Sequence, residues 1–261
     1  MIYYCFMFND EYDLLEVQLN TMNSIVDKFV ISEGPYTQSG EKKPLYFELV
    51  KNDLRFRKFK DKIIHIIDNG LLPKDKLPEG KRSRWYNENH QRNAIQQVKF
   101  KSNDLIISGD VDEIMNPDVL PILKKEQKPV TLMQHLYYYY LNCQSLSSWR
   151  AVISMRGKHL KNKALSDMRL ERNNFKAINN AGWHFSYLGG VERVIKKLKI
   201  MAHAEYSTEK YWNKENVEKC LREGKDLFGR KLNKYKFVEK LNVPKYILEN
   251  MDKFKKYVKE L

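Results

Sequence analysis

Three carboxylates, Asp110, Asp112 and Glu113, follow the apolar run 104–108 (DLIIS) and Gly109. Carboxylates this close repel one another unless a cation neutralises them. Hard divalent ions take oxygen ligands of this kind. In an extended chain, residues two apart point to one side, so Asp110 and Asp112 are a candidate metal pair. A cation held there against a diphosphate would stabilise a departing nucleotide. Glu113 adjoins the pair and is the first candidate for a general base, ahead of Asp167 and Glu205. Its other reading is a helix-terminal charge or a buried ion-pair partner. The bland reading of the whole motif is a solvated acidic turn, but its place at a strand end favours chemistry.

Basic and polar side chains upstream suit an anion. Arg92 and Asn93 fall on a helical stretch before the acidic strand, and Lys42, Lys43, Lys81, Arg82 and Arg84 fall in loops. Two histidines stand out: His184 in an aromatic strand (GWHFS) and His203 at a helix end. A neutral imidazole is a suitable further ligand for a borderline metal such as manganese. His65 and His159 read as structural. The run Tyr137–Tyr140 and the nearby Trp149 either stack on sugars or bases, or fill a core. No nucleophile elbow, P-loop, GxGxxG or HExxH pattern occurs.

These residues need a scaffold. Residues 2–8 (IYYCFMF), 28–32 (KFVIS), 62–68 (KIIHIID) and 104–108 read as buried strands. Helical spacing follows the first strand at Leu14, Leu15, Leu19, Met22 and Val26, and recurs within 85–98. Alternating strands and helices predict a mostly parallel, three-layer α/β sheet, whose ligands bind beyond the carboxyl ends of the strands. Asn9, Glu33 and Asp110 all fall at such ends. Asn116-Pro117 opens a short helix to about residue 123. Residues 130–142 and 149–155 read as antiparallel strands, and 191–203, 213–222 and 244–257 as helices. The expected organisation is one domain in three parts, 1–114, 115–190 and a helical part at 191–261.

Composition narrows the class. Of 261 residues, 42% are apolar and 31% charged, which excludes a disordered chain. The balance of 47 basic against 33 acidic residues leaves a net charge of +14 and points to anionic partners. Cys5, Cys143 and Cys220 are odd in number and lack CxxC spacing, which argues against a disulfide framework or a cysteine-zinc site. The apolar opening is too short to span a membrane and lacks the basic lead of a secretory signal, so the expectation is a cytoplasmic protein without a transmembrane segment.

In combination and order, several segments resemble glycosyltransferase family 17. They are Asn9-Asp10-Glu11-Tyr12-Asp13-Leu14-Leu15-Glu16-Val17, Val26 to Ile31, Ser32-Glu33-Gly34-Pro35-Tyr36-Thr37, Gly40, Pro44-Leu45, Gly109 to Ile114, Ala181 to Ser186 and Pro244 to Leu248. The likeness runs from residue 8 to about 258 and is weak over 115–180. It implies a GT-A type fold, a nucleotide-sugar donor and inversion at the anomeric carbon. By that likeness Asp110 serves the ribose or a metal-bound water, Asp112 the metal, and His184 the metal or diphosphate. Asn9, Glu11 and Glu33 would line the nucleotide pocket. Phe185 departs from the family, which often has cysteine there.

The resulting expectation is an inverting, Mn2+- or Mg2+-dependent transferase. It would move a sugar, with N-acetylglucosamine the leading choice, from a UDP-sugar to a glycan or other hydroxyl acceptor. The competing class is a basic nucleic-acid-binding protein or metal-dependent nuclease, using charge and tyrosines for backbone and stacking contacts. A third is an inert sugar-binding protein, against which the intact Asp110/Asp112 pair argues.

Overall fold

The computed structural model describes residues 1–80, 82–231 and 233–261; Lys81 lies outside them. Strands β1 (Ile2–Met7), β2 (Lys28–Glu33), β3 (Ile63–Ile67) and β4 (Leu105–Asp110) pair in parallel in the order β3-β2-β1-β4. Helices α1 (Tyr12–Met22), α2 (Tyr46–Val50), α3 (Trp85–Ala94), α4 (Leu120–Lys125), α5 (Leu165–Leu170) and α6 (Val191–Ile200) pack around the sheet.

These strands are near-continuous apolar runs because both of their faces are covered. Tyr4, Phe6, Phe29, Ile31 and Ile107 share one core with Leu15 and Leu19 of α1 and Phe47 of α2. Tyr3, Cys5, Val30 and Ile106 share the other with Ala94 of α3 and with Leu165 and Met168 of α5. Each large apolar side chain buried in this way contributes about 1.5–3 kcal/mol relative to exposure. The predicted α/β architecture with a mostly parallel sheet is therefore the one observed.

The sheet continues through antiparallel pairs. β7 (Cys143–Arg156) lies against β4, and β6 (Val130–Tyr138) lies against β7. β9 (Gly182–Ser186) runs parallel to β6, and β5 (Glu113–Met115) closes the path antiparallel to β9. β8 (Lys176–Ile178) adds to β6, and β10 (Tyr235–Phe237), unforeseen in the sequence, adds to β7. Gly182 holds φ +141°, and a Cβ there would lie 2.1 Å from the Ile114 carbonyl oxygen, so glycine permits the close β5–β9 approach.

Asn116 caps as its sequence predicts, its side chain accepting from the Asp118 amide at 3.1 Å. The helix expected over 244–257 is instead broken into Lys245–Glu249, Met251–Phe254 and a 3-10 turn, because Asn250 leaves helical geometry at φ −125°, ψ 37°. Charges on α1 hold this segment down. Asp13 meets Lys256 at 2.8 Å and Tyr257 at 2.7 Å, while Glu16 meets Tyr246 at 2.8 Å and also pairs with Lys253. Among the described residues no helix is long and apolar enough to cross a membrane.

Candidate active site

Parallel pairing brings the strand ends level. Met7 pairs with Ser32 on one side and with Asp110 on the other, so Asn9 and the acidic motif meet just beyond the sheet edge. A cleft of about 750 Å³ opens there. Asn9, Glu11, Arg92, Asp110, Asp112, Glu113 and His184 all line it.

Glu33, the remaining candidate, does not reach the cleft. Its strand alternates: Phe29 and Ile31 face the α1/α2 core, and Glu33 shares their side. Its carboxylate accepts from the Phe47 and Glu48 amides at 3.1–3.2 Å and contacts His65 Nε2 at 2.8 Å, capping the start of α2. Asp110, level with Ser32, points to the opposite face, where α3 and α5 lie. The alternation in the sequence would have separated the two.

The acidic motif is a dense ionic lattice. Asp110 Oδ1 lies 3.0 Å from Arg92 Nη2, and Asp110 Oδ2 lies 3.0 Å from Arg169 Nη2. Glu113 takes Arg169 in a two-point grip, Nη1 to Oε2 and Nη2 to Oε1, both 2.8 Å. Trp149 Nε1 donates to Glu113 Oε1 at 2.7 Å, and the Asp110 amide to Oε2 at 2.9 Å. Gly109 leaves the room: a Cβ there would lie 3.0 Å from Glu113 Oε2 and 2.8 Å from Val152. Burial alone would raise the Glu113 pKa, but Arg169 outweighs it and holds the carboxyl below its usual range. Of its two sequence readings, the geometry matches the buried ion-pair partner; all of its oxygens are engaged, which leaves it poorly placed to take a substrate proton.

Asp112 is set apart from this grip. Lys197 Nζ of α6 lies 2.8 Å from Asp112 Oδ2, and His184 Nε2 lies 3.7 Å from Oδ1. Burial would raise its pKa, but Lys197 and then His184 hold the carboxyl far below normal. Lys197 is held protonated in turn, Asp112 and Glu11 outweighing the cost of its burial. Its neighbours Arg193 and Lys196 reach Asp10 at 2.8 and 2.5 Å, so one face of α6 is fastened over the β1–α1 turn.

Neither Arg169 nor Lys197 was singled out from sequence. A lone arginine in a six-residue helix carries no signal. Lys197 sits one residue from the buried Leu198 on a lysine-rich helix, where solvated lysine is the default reading. Among the other sequence candidates, Lys43 lines the cleft, nearly buried, with Glu33 Oε2 3.9 Å behind it. Asn93 accepts from the Ser166 amide, and Arg84 donates to the Lys199 and Met201 carbonyls, so both brace helices. His203 pairs with Glu205 at 2.7 Å. Asp167 is exposed and lies outside the cleft lining.

The donor set can be weighed against a divalent cation. Among the described residues no three His, Cys, Asp or Glu side chains converge as a closed cage. Asp112 Oδ1 and His184 Nε2 face each other beyond hydrogen-bond reach, and His184 Nδ1 is buried without a partner. Both oxygens of Asp110 meet guanidinium groups. Mg2+-like ions are held in this way, by one or two protein ligands and completed by substrate phosphates and water. The residues fit a cation that arrives with a diphosphate. A second opening for an anion is Arg92 Nη1, buried, unpartnered and on a side chain that lines the cleft.

The profile of glycosyltransferase family 17 matches residues 1–259. The chain belongs to glycosyltransferase family 17. Relatives carry the name β-1,4-mannosyl-glycoprotein 4-β-N-acetylglucosaminyltransferase: the rat protein is 23% identical over 95% of this chain and 52% of its own length, the human protein 23% identical over 94% and 52%. This family 17 chain thus spans about half the length of the curated relatives it matches. Among solved structures, a Bacillus anthracis protein described as a glucose-1-phosphate thymidylyltransferase aligns with TM-score 0.38 and 11% identity, over 70% of this chain and 87% of that one.

Proposed function

We propose that the chain transfers N-acetylglucosamine from a UDP-sugar to a glycan hydroxyl by single displacement, with inversion, in a GT-A type site that uses Mn2+ or Mg2+. Asp112 Oδ1 and His184 Nε2, 3.7 Å apart on the wall of the cleft that Arg92 also lines with its unpartnered Nη1, carry the nucleotide-diphosphate part of this reading. The relatives' name supports the choice of sugar.

Asp112 and His184 would hold the cation, whose contribution is to neutralise charge on the leaving diphosphate. The chain's own residues do the rest. Arg92 and Lys197 bring fixed positive charge to the same region, in a site where such charge needs no reorganisation during reaction. Arg169 and Trp149 lock Glu113, which in turn fixes the Asp110 amide and the turn that presents Asp112. Asn9 bounds the donor end. The acceptor hydroxyl must lose a proton, and the two cleft carboxylates whose pKa burial raises, Glu11 and Glu88, are the ones suited to take it.

Calorimetric titration of UDP, with Mn2+ and with excess EDTA, tests the reading. Binding that needs the cation is expected, because Asp112 otherwise meets a diphosphate of its own sign. Equal affinity in EDTA would remove the metal from the site.

A further inference from the structure

Beyond Asp112 the character of the cleft changes from ionic to aromatic. Lys197 Nζ, bound to Asp112, also lies 5.5 Å from the centre of the Tyr187 ring. From there rings follow one another, Tyr138 buried and the others half-buried. Tyr187 contacts Tyr138 at 5.2 Å and Phe228 at 6.1 Å, Tyr138 stacks on Tyr235 at 4.6 Å, and Phe228 lies against Tyr206 at 4.1 Å. All five line the cleft.

Two features mark this strip as a built surface. Tyr187 is held at φ +57°, a left-handed conformation that bulky side chains rarely adopt and that concentrates at functional sites. Behind the rings, Asp226 ties the segment together. It accepts from the Phe228 and Arg230 amides at 3.0 and 2.9 Å, from Arg230 Nη2 at 2.7 Å and from the Tyr235 hydroxyl at 3.3 Å.

Charge along the strip is cancelled. Arg230 lies over Phe228 and lines the cleft, but its guanidinium is already paired with Asp226. Glu205, which also faces the cleft, is paired with His203. The chain's net charge of +14 is thus not expressed here. Flat apolar faces rimmed by hydroxyls suit the C–H faces of pyranose rings, and the two cations beside them, Lys197 and Arg230, are already paired with Asp112 and Asp226. Ser147 and Ser148, exposed and also on the cleft wall, offer further hydroxyls.

We infer that the strip Tyr187–Tyr138–Tyr235–Phe228–Tyr206 is the acceptor subsite and that it selects an uncharged saccharide of at least two rings. The inference rests on the glycosyl-transfer reading for its place in the reaction, and its test separates the two.

Binding of neutral oligosaccharides (chitobiose and a mannotriose) and of anionic ones (sialyllactose and a 6-phosphorylated mannobiose) is measured by calorimetry on the whole chain, without donor. The same titrations are run on Phe228→Ala and Tyr206→Ala, alongside UDP binding. The neutral sugars should bind and the anionic ones should bind at least tenfold more weakly. Each variant should lose about tenfold in saccharide affinity, the order of one aromatic contact, while UDP affinity stays unchanged. Absence of neutral-sugar binding, preference for the anionic sugars, or wild-type saccharide affinity in both variants would overturn the inference. If UDP fails to bind but saccharide binding follows the strip, the donor reading falls and the subsite stands. A variant that fails to fold would lose UDP binding as well, and Tyr206→Leu, which keeps volume but removes the ring, then takes its place.

Discussion

Lys197 Nζ lies 2.8 Å from Asp112 Oδ2, so the carboxylate expected to meet a cation already has one supplied by the chain. The two residues are 85 apart in sequence and come from different layers, α6 and the turn after β4. The contact joins the acidic motif to the helix fastened above it. It also means that a bound divalent ion would share Asp112 with an ammonium group.

That sharing gives a first prediction. Lys197→Met leaves Asp112 buried without its main partner, so the metal-free variant should melt below wild type. Saturating Mn2+ should then raise its melting temperature by more than it raises that of wild type, because the vacated charge is restored. Scanning calorimetry of both proteins, with and without Mn2+, makes the comparison. An equal Mn2+ increment in the two proteins would contradict the sharing.

Arg169 should be the costliest of the site residues to remove. Arg169→Met strands Glu113, which is 1% exposed, and should destabilise by about 3–5 kcal/mol. The double variant Arg169→Met/Glu113→Gln removes both charges and should recover a large part of the loss. Chemical denaturation of the single and double variants measures this. A double variant less stable than Arg169→Met would mean that Glu113 is held by something other than this pair.

Acid should unfold the protein through these same carboxylates. Asp112 and Glu113 have folded pKa values below their ordinary 3.8 and 4.5, after Lys197 and Arg169 respectively outweigh burial. Asp13, ion-paired to Arg55 and Lys256, is depressed too. A depressed carboxyl contributes stability that is fully present above its unfolded pKa and is lost as pH falls through the folded value. The melting temperature should therefore be insensitive to these groups above about pH 5 and fall steeply below about pH 4. Asp13→Asn should flatten that fall. An unchanged acid limb would show that Asp13 contributes no linkage.

The proton acceptor should separate from the scaffold by paired readouts. Glu113→Gln is expected to lower the melting temperature because it breaks the grip on Arg169. Glu11→Gln and Glu88→Gln should fold normally, and the one that carries the base should lose about 10²–10⁴ in transfer with donor affinity retained. Full transfer by both, with transfer lost in a stable Glu113→Gln protein, would return the base to Glu113.

Much of this arrangement is written locally. The four parallel strands appear in the sequence as apolar runs, and the Asn9 and Asp110 positions follow from where those runs stop. The Gly109 to Glu113 segment is legible as a site because three carboxylates at a strand end demand compensation. What compensates them is not local. Arg169 and Lys197 reach the motif from helices 56 and 85 residues away, and a single basic residue among 47 has no pattern of its own. Glu33 shows the opposite case: its level in the sheet was legible, and its face followed from Phe29 and Ile31. The tyrosine run divides the same way: Tyr137, Tyr138 and Tyr139 are all buried, but of the three Tyr138 is the one in the cleft lining, on a segment that turns at Tyr139, φ +67°.

Asp112→Asn keeps the size of the side chain and removes one charge, so it isolates the role on which the account depends. The measurement is UDP release from UDP-N-acetylglucosamine with Mn2+ and a neutral oligosaccharide acceptor, on wild type and variant, with melting temperatures taken alongside. Wild type should turn over, and the variant should fall by about 10²–10³ while remaining folded. Near wild-type turnover by a folded Asp112→Asn protein would contradict the account.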